Sequence, residues 1–248
     1  MPAKRIFRTI FGILSLTALV ACTVFSFLLL LLVILIPGKT GMHGAHKVAR
    51  LWSLLCFACT FIRLKVKGRE KIDRGRTYVF VGNHQSQLDI PVYARACRNT
   101  FRFLAKAELK KIPIIGFAVT RVYVTVDRKD KHDRNRSLQE MKKSLAEGIS
   151  VFLCPEGTRN RNPGRQPLLD FKDGAFRLAI ETQTPMAVLT VLDSGKRNSP
   201  QSQLELIPGT IHAIWDEPIE TKGMTTDDVP LLKQKVYNLM LGHLKNGY

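Results

Sequence analysis

The sequence predicts an α/β protein, a mixed sheet flanked by helices, preceded by an N-terminal membrane-embedded helical segment. Three observations carry that prediction. Residues 9–38 contain no charge and are mostly Leu, Ile, Val and Phe, a run longer than the roughly 20 residues that span a bilayer as a helix. From Arg63 onward, short runs of β-branched and aromatic residues alternate with stretches of helical spacing. Two of the β-like runs, ending at Gly82 and Leu153, pass at once into polar and turn-forming residues, and strand exits are where open α/β sheets keep their chemistry. The expected organisation is residues 1–62 as membrane helices and 63–248 as one catalytic domain, large enough to hold a proper core.

At the N-terminus, Lys4, Arg5 and Arg8 precede the uncharged run. A basic start followed by an apolar stretch also describes a signal peptide, and Leu19-Val20-Ala21-Cys22 matches a bacterial lipoprotein cleavage site. The apolar run continues well past Cys22, whereas a signal's apolar region ends at its cleavage site, so a retained helix is the expectation. Pro37-Gly38 ends that helix, residues 39–47 read as a polar link, and residues 48–62, with Trp52 near their start, read as an interfacial helix too short for a second span. Basic residues flank the long helix on both sides, so charge does not orient a single crossing. A dip into one leaflet and back satisfies both flanks.

In the following domain, residues 64–68 and 78–81 are strand-like, 91–96 a short helix, and 101–104 and 122–126 strands again. The charged run 127–136 alternates in sign and reads as a solvated entry to a helix over 137–147, which Gly148 stops. Residues 149–153 form a buried strand, 171–182 a helix and 186–192 another buried strand. Residues 204–207 and 210–215 read as antiparallel edge strands. Apolar positions at Val229, Leu232, Val236, Leu239 and Met240 give a closing helix, 225–244, a core-facing stripe.

Lys and Arg outnumber Asp and Glu by 38 to 20, a net charge of +18, which calls for an anionic partner: nucleic acid, a membrane surface or a phosphorylated substrate. No nucleic-acid-binding module and no interleaving of aromatics with the basic residues is present, so nucleic acid is set aside. Five cysteines, three of them in apolar runs, argue against a disulfide framework and for a reducing compartment. Cys56 and Cys59 have the spacing of half a zinc site but lack a second pair. With no metal-ligand cluster and no Gly-rich nucleotide loop, neither metal nor cofactor is expected.

The chemistry-bearing stretch is Val81-Gly82-Asn83-His84-Gln85-Ser86-Gln87-Leu88-Asp89-Ile90-Pro91. Asp89 and Pro91 read as an N-cap and first turn. A neutral imidazole can take a proton near pH 7, and a carboxylate on its other nitrogen fixes the tautomer and stabilises the imidazolium. This is a His–Asp dyad without a serine nucleophile of its own, so the attacking hydroxyl would be the substrate's; Ser86, the nearest hydroxyl, shapes the turn or bonds an acceptor. The second stretch is Cys154-Pro155-Glu156-Gly157-Thr158-Arg159. Gly157 permits a tight backbone approach, Arg159 offers a planar fork of donors for a phosphate, and Glu156 holds Arg159 or caps the turn.

The two stretches, in this order and at this separation, resemble the glycerolipid acyltransferase family, specifically its 1-acylglycerol-3-phosphate acyltransferases. The resemblance covers about residues 63 to 220. It includes two weaker blocks, Arg121-Val122-Tyr123-Val124-Thr125-Val126-Asp127-Arg128 and the apolar strand from Pro185 to Val191. Cys154 stands where an aromatic is usual and Val188 where a second proline is usual, changes that touch packing and leave the chemistry intact. The resemblance implies acyl transfer from an acyl thioester, acyl-CoA or acyl-carrier-protein, to a lysophospholipid acceptor at the lipid bilayer, with the catalytic domain facing the cytoplasm. It implies His84 as base with Asp89 orienting it, and Lys106 with Arg159 around the acceptor's phosphate; Arg128, Thr158, Gly157, Glu156 and Ser86 complete the candidate set. Glycerol 3-phosphate or another lysolipid remains open as acceptor, and a non-catalytic basic membrane-binding protein is the alternative of another class.

Overall fold

The computed structural model describes residues 2–111, 115–127, 129–198 and 206–247. It opens with two antiparallel helices, α1 (Pro2–Val33) and α2 (Gly38–Cys59). Residues 39–47 are therefore helix and not a polar link. Lys39, His43 and Lys47 fall four residues apart on one exposed face, while Gly41, Ala45 and His46 are buried, so the polar residues mark one side of a helix. Gly41 and Gly44 make the tight reversal possible: a Cβ on Gly41 would collide with the Ile36 carbonyl, and one on Gly44 with the Val33 side chain.

β1 (Ile62–Lys67), β2 (Val79–Gly82), α3 (Asp89–Ala96), β3 (Phe101–Lys106), α4 (Ile115–Val122), β4 (Val124–Val126), α5 (Lys131–Ala146) and β5 (Ser150–Leu153) follow in order. After them come α6 (Gly174–Glu181), β6 (Met186–Leu192), α7 (Ser194–Arg197), β7 (Gly209–Trp215) and α8 (Val229–Asn246). Among the described residues the strands make one mixed sheet in the order β1-β7-β6-β2-β5-β3-β4. β6, β2, β5, β3 and β4 are mutually parallel. β7 runs antiparallel to β6 and parallel to β1.

Three local readings give way to the tertiary structure. β7 lies between β1 and β6 instead of at an edge, and Leu206 makes only an isolated antiparallel bridge to Asn198; residues 204–205 lie outside the described residues. The pairing that covers β7 comes from a strand more than a hundred residues earlier, which no local pattern announces. Val122 ends α4, with Val119 buried one turn before it, so a helix precedes the strand β4. The charged run leads to the expected helix, but that helix starts six residues earlier, at Lys131, where Asp130 caps α5 by accepting from the His132 N–H at 2.8 Å.

Strand alternation divides the core into two layers. Val79, Val81, Val151, Leu153, Met186 and Val188 face α5, α6 and α8. Phe80, Phe152, Ala187, Leu189 and Val191 face α2 and α3. Phe152 stacks on Tyr93 of α3 with ring centroids 4.3 Å apart, and α2 docks on the start of α3 through Ser53 Oγ, which donates to the Pro91 carbonyl at 2.6 Å. The hairpin is thereby fastened to the helix that leaves the candidate site, and the carboxyl ends of β2, β5 and β6 converge on that site.

Candidate active site

β2 delivers His84 two residues beyond its last paired residue. Asn83 makes that exit rigid: its side chain accepts from the Val191 N–H at 2.7 Å and donates to the Val191 carbonyl at 2.9 Å, continuing the β2–β6 pairing with an amide in place of main chain. The Asn83 carbonyl accepts from Tyr93 Oη, a phenol wholly buried and raised well above its usual range by that burial. Neither Asn83 nor Tyr93 stands out in the sequence, because their roles depend on β6 and α3 lying beside β2.

α3 begins at Asp89 itself, and Leu88 takes the N-cap position. The Asp89 carboxylate does not cap the helix from outside as its sequence position suggests. It turns back from the first helical position, as helical side chains lean toward their N-terminus. Its Oδ2 meets His84 Nδ1 at 2.9 Å and accepts from the Gln85 and Ser86 N–H groups at 2.7 and 2.8 Å. The carboxylate is fully buried. Three donors converge on that one oxygen, and the contact fixes the imidazole's orientation with Nδ1 on the carboxylate. The His84 side chain is 20% exposed, and its Nε2 has no partner among the described residues and opens to solvent. The dyad therefore presents a free, basic nitrogen at the mouth of the sheet.

The second motif braces the first. β5 ends at Leu153, and the turn that follows is closed by the Gly157 N–H donating to the Cys154 carbonyl at 3.0 Å, with Gly157 at φ +72°, a conformation suited to glycine. Glu156 is buried, and both its oxygens are taken by main chain: Oε1 accepts from the His84 N–H at 2.7 Å and Oε2 from the Leu169 N–H at 2.9 Å. It thus ties β5's exit to the His84 backbone and does not hold Arg159. Burial pushes its carboxyl up to about 7, against the pull of the two N–H donors. The Asn160 N–H donates to the His84 carbonyl at 2.8 Å, and Asn160's side chain closes the following loop onto Gln166 and Asn162. The His84 peptide is clamped from both sides by this motif.

Arg159 is half-buried and makes no side-chain bond to another described residue, while Thr158 is exposed. Ser86 Oγ donates to the Asn198 carbonyl at 3.2 Å and accepts from the Leu88 N–H at 3.2 Å, so it shapes the turn. Lys106 ends β3, which is separated from β2 by β5; its side chain is 71% exposed and ion-paired with Glu108 at 2.7 Å. Arg128 lies outside the described residues. Among the described residues no cluster of His, Cys, Asp and Glu is arranged to hold a metal.

Comparison with known proteins decides the family. Residues 63–191 match the family model described as Acyltransferase, a span that contains both motifs. The chain belongs to the acyltransferase family. Its relatives include the 1-acyl-sn-glycerol-3-phosphate acyltransferase alpha of Mus musculus, 32% identical over 197 residues, covering 79% of this chain and 68% of the mouse protein. A chloroplastic 1-acyl-sn-glycerol-3-phosphate acyltransferase of Arabidopsis thaliana is 33% identical over 185 residues, covering 74% of this chain and 50% of its own length. This acyltransferase thus spans about half of the plant relative and about two thirds of the mouse one. The crystal structure of PlsC, the 1-acyl-sn-glycerophosphate acyltransferase of Thermotoga maritima, matches the fold with a TM-score of 0.76 at 22% identity, over 98% of this chain and 97% of that one.

Proposed function

We propose that this acyltransferase moves a fatty acyl group from an acyl thioester to the free sn-2 hydroxyl of lysophosphatidate, giving phosphatidate at a membrane surface. The observation that carries this reading is the His84–Asp89 pair, with Nδ1 on the carboxylate and Nε2 open to solvent. No serine or cysteine of the described chain donates to Nε2, so the hydroxyl it activates comes from the acceptor. In the reaction, Nε2 takes the acceptor's hydroxyl proton as the oxygen attacks the thioester carbonyl carbon. The tetrahedral intermediate collapses, the carbon–sulfur bond breaks, and the departing sulfur takes the proton from the imidazolium. Asp89, bonded to Nδ1, stabilises that imidazolium. The names of the mouse and plant relatives support a lysophosphatidate acceptor, and Arg159, half-buried beside the dyad's clamp and without a carboxylate, is the group we assign to its phosphate.

The hairpin supports a membrane location. One helix segment, Ile10–Val33, is long and apolar enough to cross a bilayer, and Leu14, Val20, Phe25, Leu28 and Leu32 are exposed along it. α1 lies against α2 and the residue pair that follows it, from Phe11 beside Phe61, through Thr23 Oγ1 accepting from Trp52 Nε1 at 3.0 Å, to the turn at Val33. Because α2 is docked on α3, α1 is held alongside the catalytic domain, an arrangement that favours entry into one leaflet from the domain's own side. The reading places that domain on the cytoplasmic face, where acyl-CoA or acyl-carrier-protein is met.

The test is an acceptor panel with one labelled acyl-CoA. Lysophosphatidate should be acylated strongly, and phosphate-free monoacylglycerol and glycerol 3-phosphate weakly. Arg159→Ala should raise the KM for lysophosphatidate by roughly ten- to a hundredfold, the worth of a charge-assisted bond, and should discriminate much less against monoacylglycerol. Faster acylation of glycerol 3-phosphate would move the acceptor assignment, and no thiol release with any acceptor would leave a membrane-binding protein without this activity.

A further inference from the structure

A second concentration of positive charge lies away from the dyad. α3 starts at Asp89 and runs for 8 residues, so its far end is about 12 Å from the site at 1.5 Å per residue. Around that end stand five arginines from three segments: Arg50 of α2, Arg69 and Arg74 between β1 and β2, and Arg95 and Arg98 at and beyond the close of α3. Arg50 Nη2 donates to the Arg98 carbonyl, and Arg69 Nη2 donates to the Arg95 carbonyl at 3.3 Å. Those bonds neutralise the exposed carbonyls of a helix end, as cations commonly do, and they bring Arg50 and Arg69 within electrostatic range of Arg74, Arg95 and Arg98.

Helix capping accounts for two of the five and leaves the charge of all five uncompensated. Among the described residues no carboxylate is hydrogen-bonded or ion-paired to any of them, and the charges felt by Arg69 are those of other arginines and the buried Cys97. The Nε atoms of Arg50 and Arg69 are buried without a partner. Burial, with Arg98 and Arg95 close by, depresses Arg69 below the usual guanidinium range. Arg76, only two residues after Arg74, shows the contrast: it is paired with both oxygens of Glu220 at 2.8 and 2.6 Å and is raised. A fold that pairs Arg76 and Arg136 with acids leaves this group to repel itself.

We propose that the Arg50–Arg69–Arg74–Arg95–Arg98 cluster is an anion-binding site, separate from the acyl-transfer centre, that takes the phosphate of an anionic phospholipid headgroup. Guanidinium groups match phosphate oxygens with paired donors, and Arg74, Arg95 and Arg98 are exposed to receive one. A lipid is favoured over a soluble phosphate by the hairpin that carries part of the cluster. Arg50 belongs to α2, which packs along α1 through Trp52 Nε1 donating to Thr23 Oγ1, and α1 exposes Val20, Val24 and Leu28. The basic group is therefore carried in part by the same hairpin that exposes an apolar surface suited to the chains of a lipid.

The experiment uses the full-length chain in neutral detergent, in a His84→Ala background so that no turnover occurs. Its thermal unfolding is followed with dioctanoyl-phosphatidylglycerol, dioctanoyl-phosphatidylcholine or inorganic phosphate. Phosphatidylglycerol should raise the midpoint, with the other two much less effective. The exposed arginines are then neutralised together as Arg74→Gln, Arg95→Gln and Arg98→Gln. This variant should unfold at a higher temperature without lipid, because repulsion is relieved, and should bind phosphatidylglycerol at least about tenfold more weakly. The matching triple lysine variant should keep part of the binding. An unchanged lipid response in the glutamine variant, or a lower lipid-free midpoint showing that these arginines do not repel one another, would overturn the site. An equal response to inorganic phosphate would overturn the lipid assignment.

Discussion

At the scale of single residues, the site works by taking away alternatives. Asp89 Oδ2 has three donors on it, so the imidazole has one orientation. Glu156 performs the same service for the His84 backbone, at a price visible in its own ionisation. Its carboxyl is raised from 4.5 to about 7 by burial, so between those values the native state binds more protons than the unfolded one, and stability falls as pH rises through this window. A shift of that size corresponds to a loss on the order of 3 kcal/mol. Glu156→Gln removes the titration while leaving one oxygen to accept from an N–H; it should be less stable than the wild type near pH 5, and its unfolding midpoint should decline less between pH 5 and 7.5. Parallel pH profiles for the two proteins would show that Glu156 carries no such linkage. The dyad was legible in the sequence because both partners sit five residues apart in one segment. Asn83 lies inside the first motif and Asn160 directly after the second, yet their work depends on Val191 and His84, residues 108 and 76 positions away in the chain.

At the scale of elements, composition reported what each segment is made of more faithfully than where it turns. The uncharged N-terminal run announced its helix, whereas the helical nature of residues 39–47 depended on reading Lys39, His43 and Lys47 as one face. β4 was visible as a run of valines, but Val122, the apparent start of that run, belongs to α4 because Val119 and Val122 pack as successive helical turns. The hairpin's closeness is the element-level claim most open to test. Cys22 and Cys59 sulfurs lie 3.5 Å apart between α1 and α2, so a mild oxidant should cross-link them efficiently. Gly41→Val forces a side chain into the Ile36 carbonyl, should pry the helices apart and should lower that yield, with the catalytic domain still folded by circular dichroism. An undiminished cross-link in the valine variant would mean that the reversal tolerates a Cβ and that Gly41 is not what sets the approach.

At the scale of the whole molecule, the sheet brings together the exits of β2, β5 and β6, and the α2–α3 contact fastens the apolar hairpin to the same site. A basic chain, +18 overall, suits both an anionic surface and a phosphorylated acceptor, and the local motifs identify the chemistry that the charge alone leaves open. The strand order was beyond local reading, since β1 reaches β7 across most of the chain, but the site survived that ignorance because its two motifs each carry their own turn. The central claim is that His84, oriented by Asp89, activates the acceptor's hydroxyl. Its most direct test is lysophosphatidate-dependent release of free thiol from acyl-CoA by the wild type, His84→Ala and Asp89→Asn proteins, each shown to be folded by its unfolding transition. The account predicts release only when acceptor is present, a fall of roughly 10²- to 10⁴-fold in His84→Ala, and a nearly equal fall in Asp89→Asn. Retention of most of the wild-type rate in a folded His84→Ala protein would contradict it.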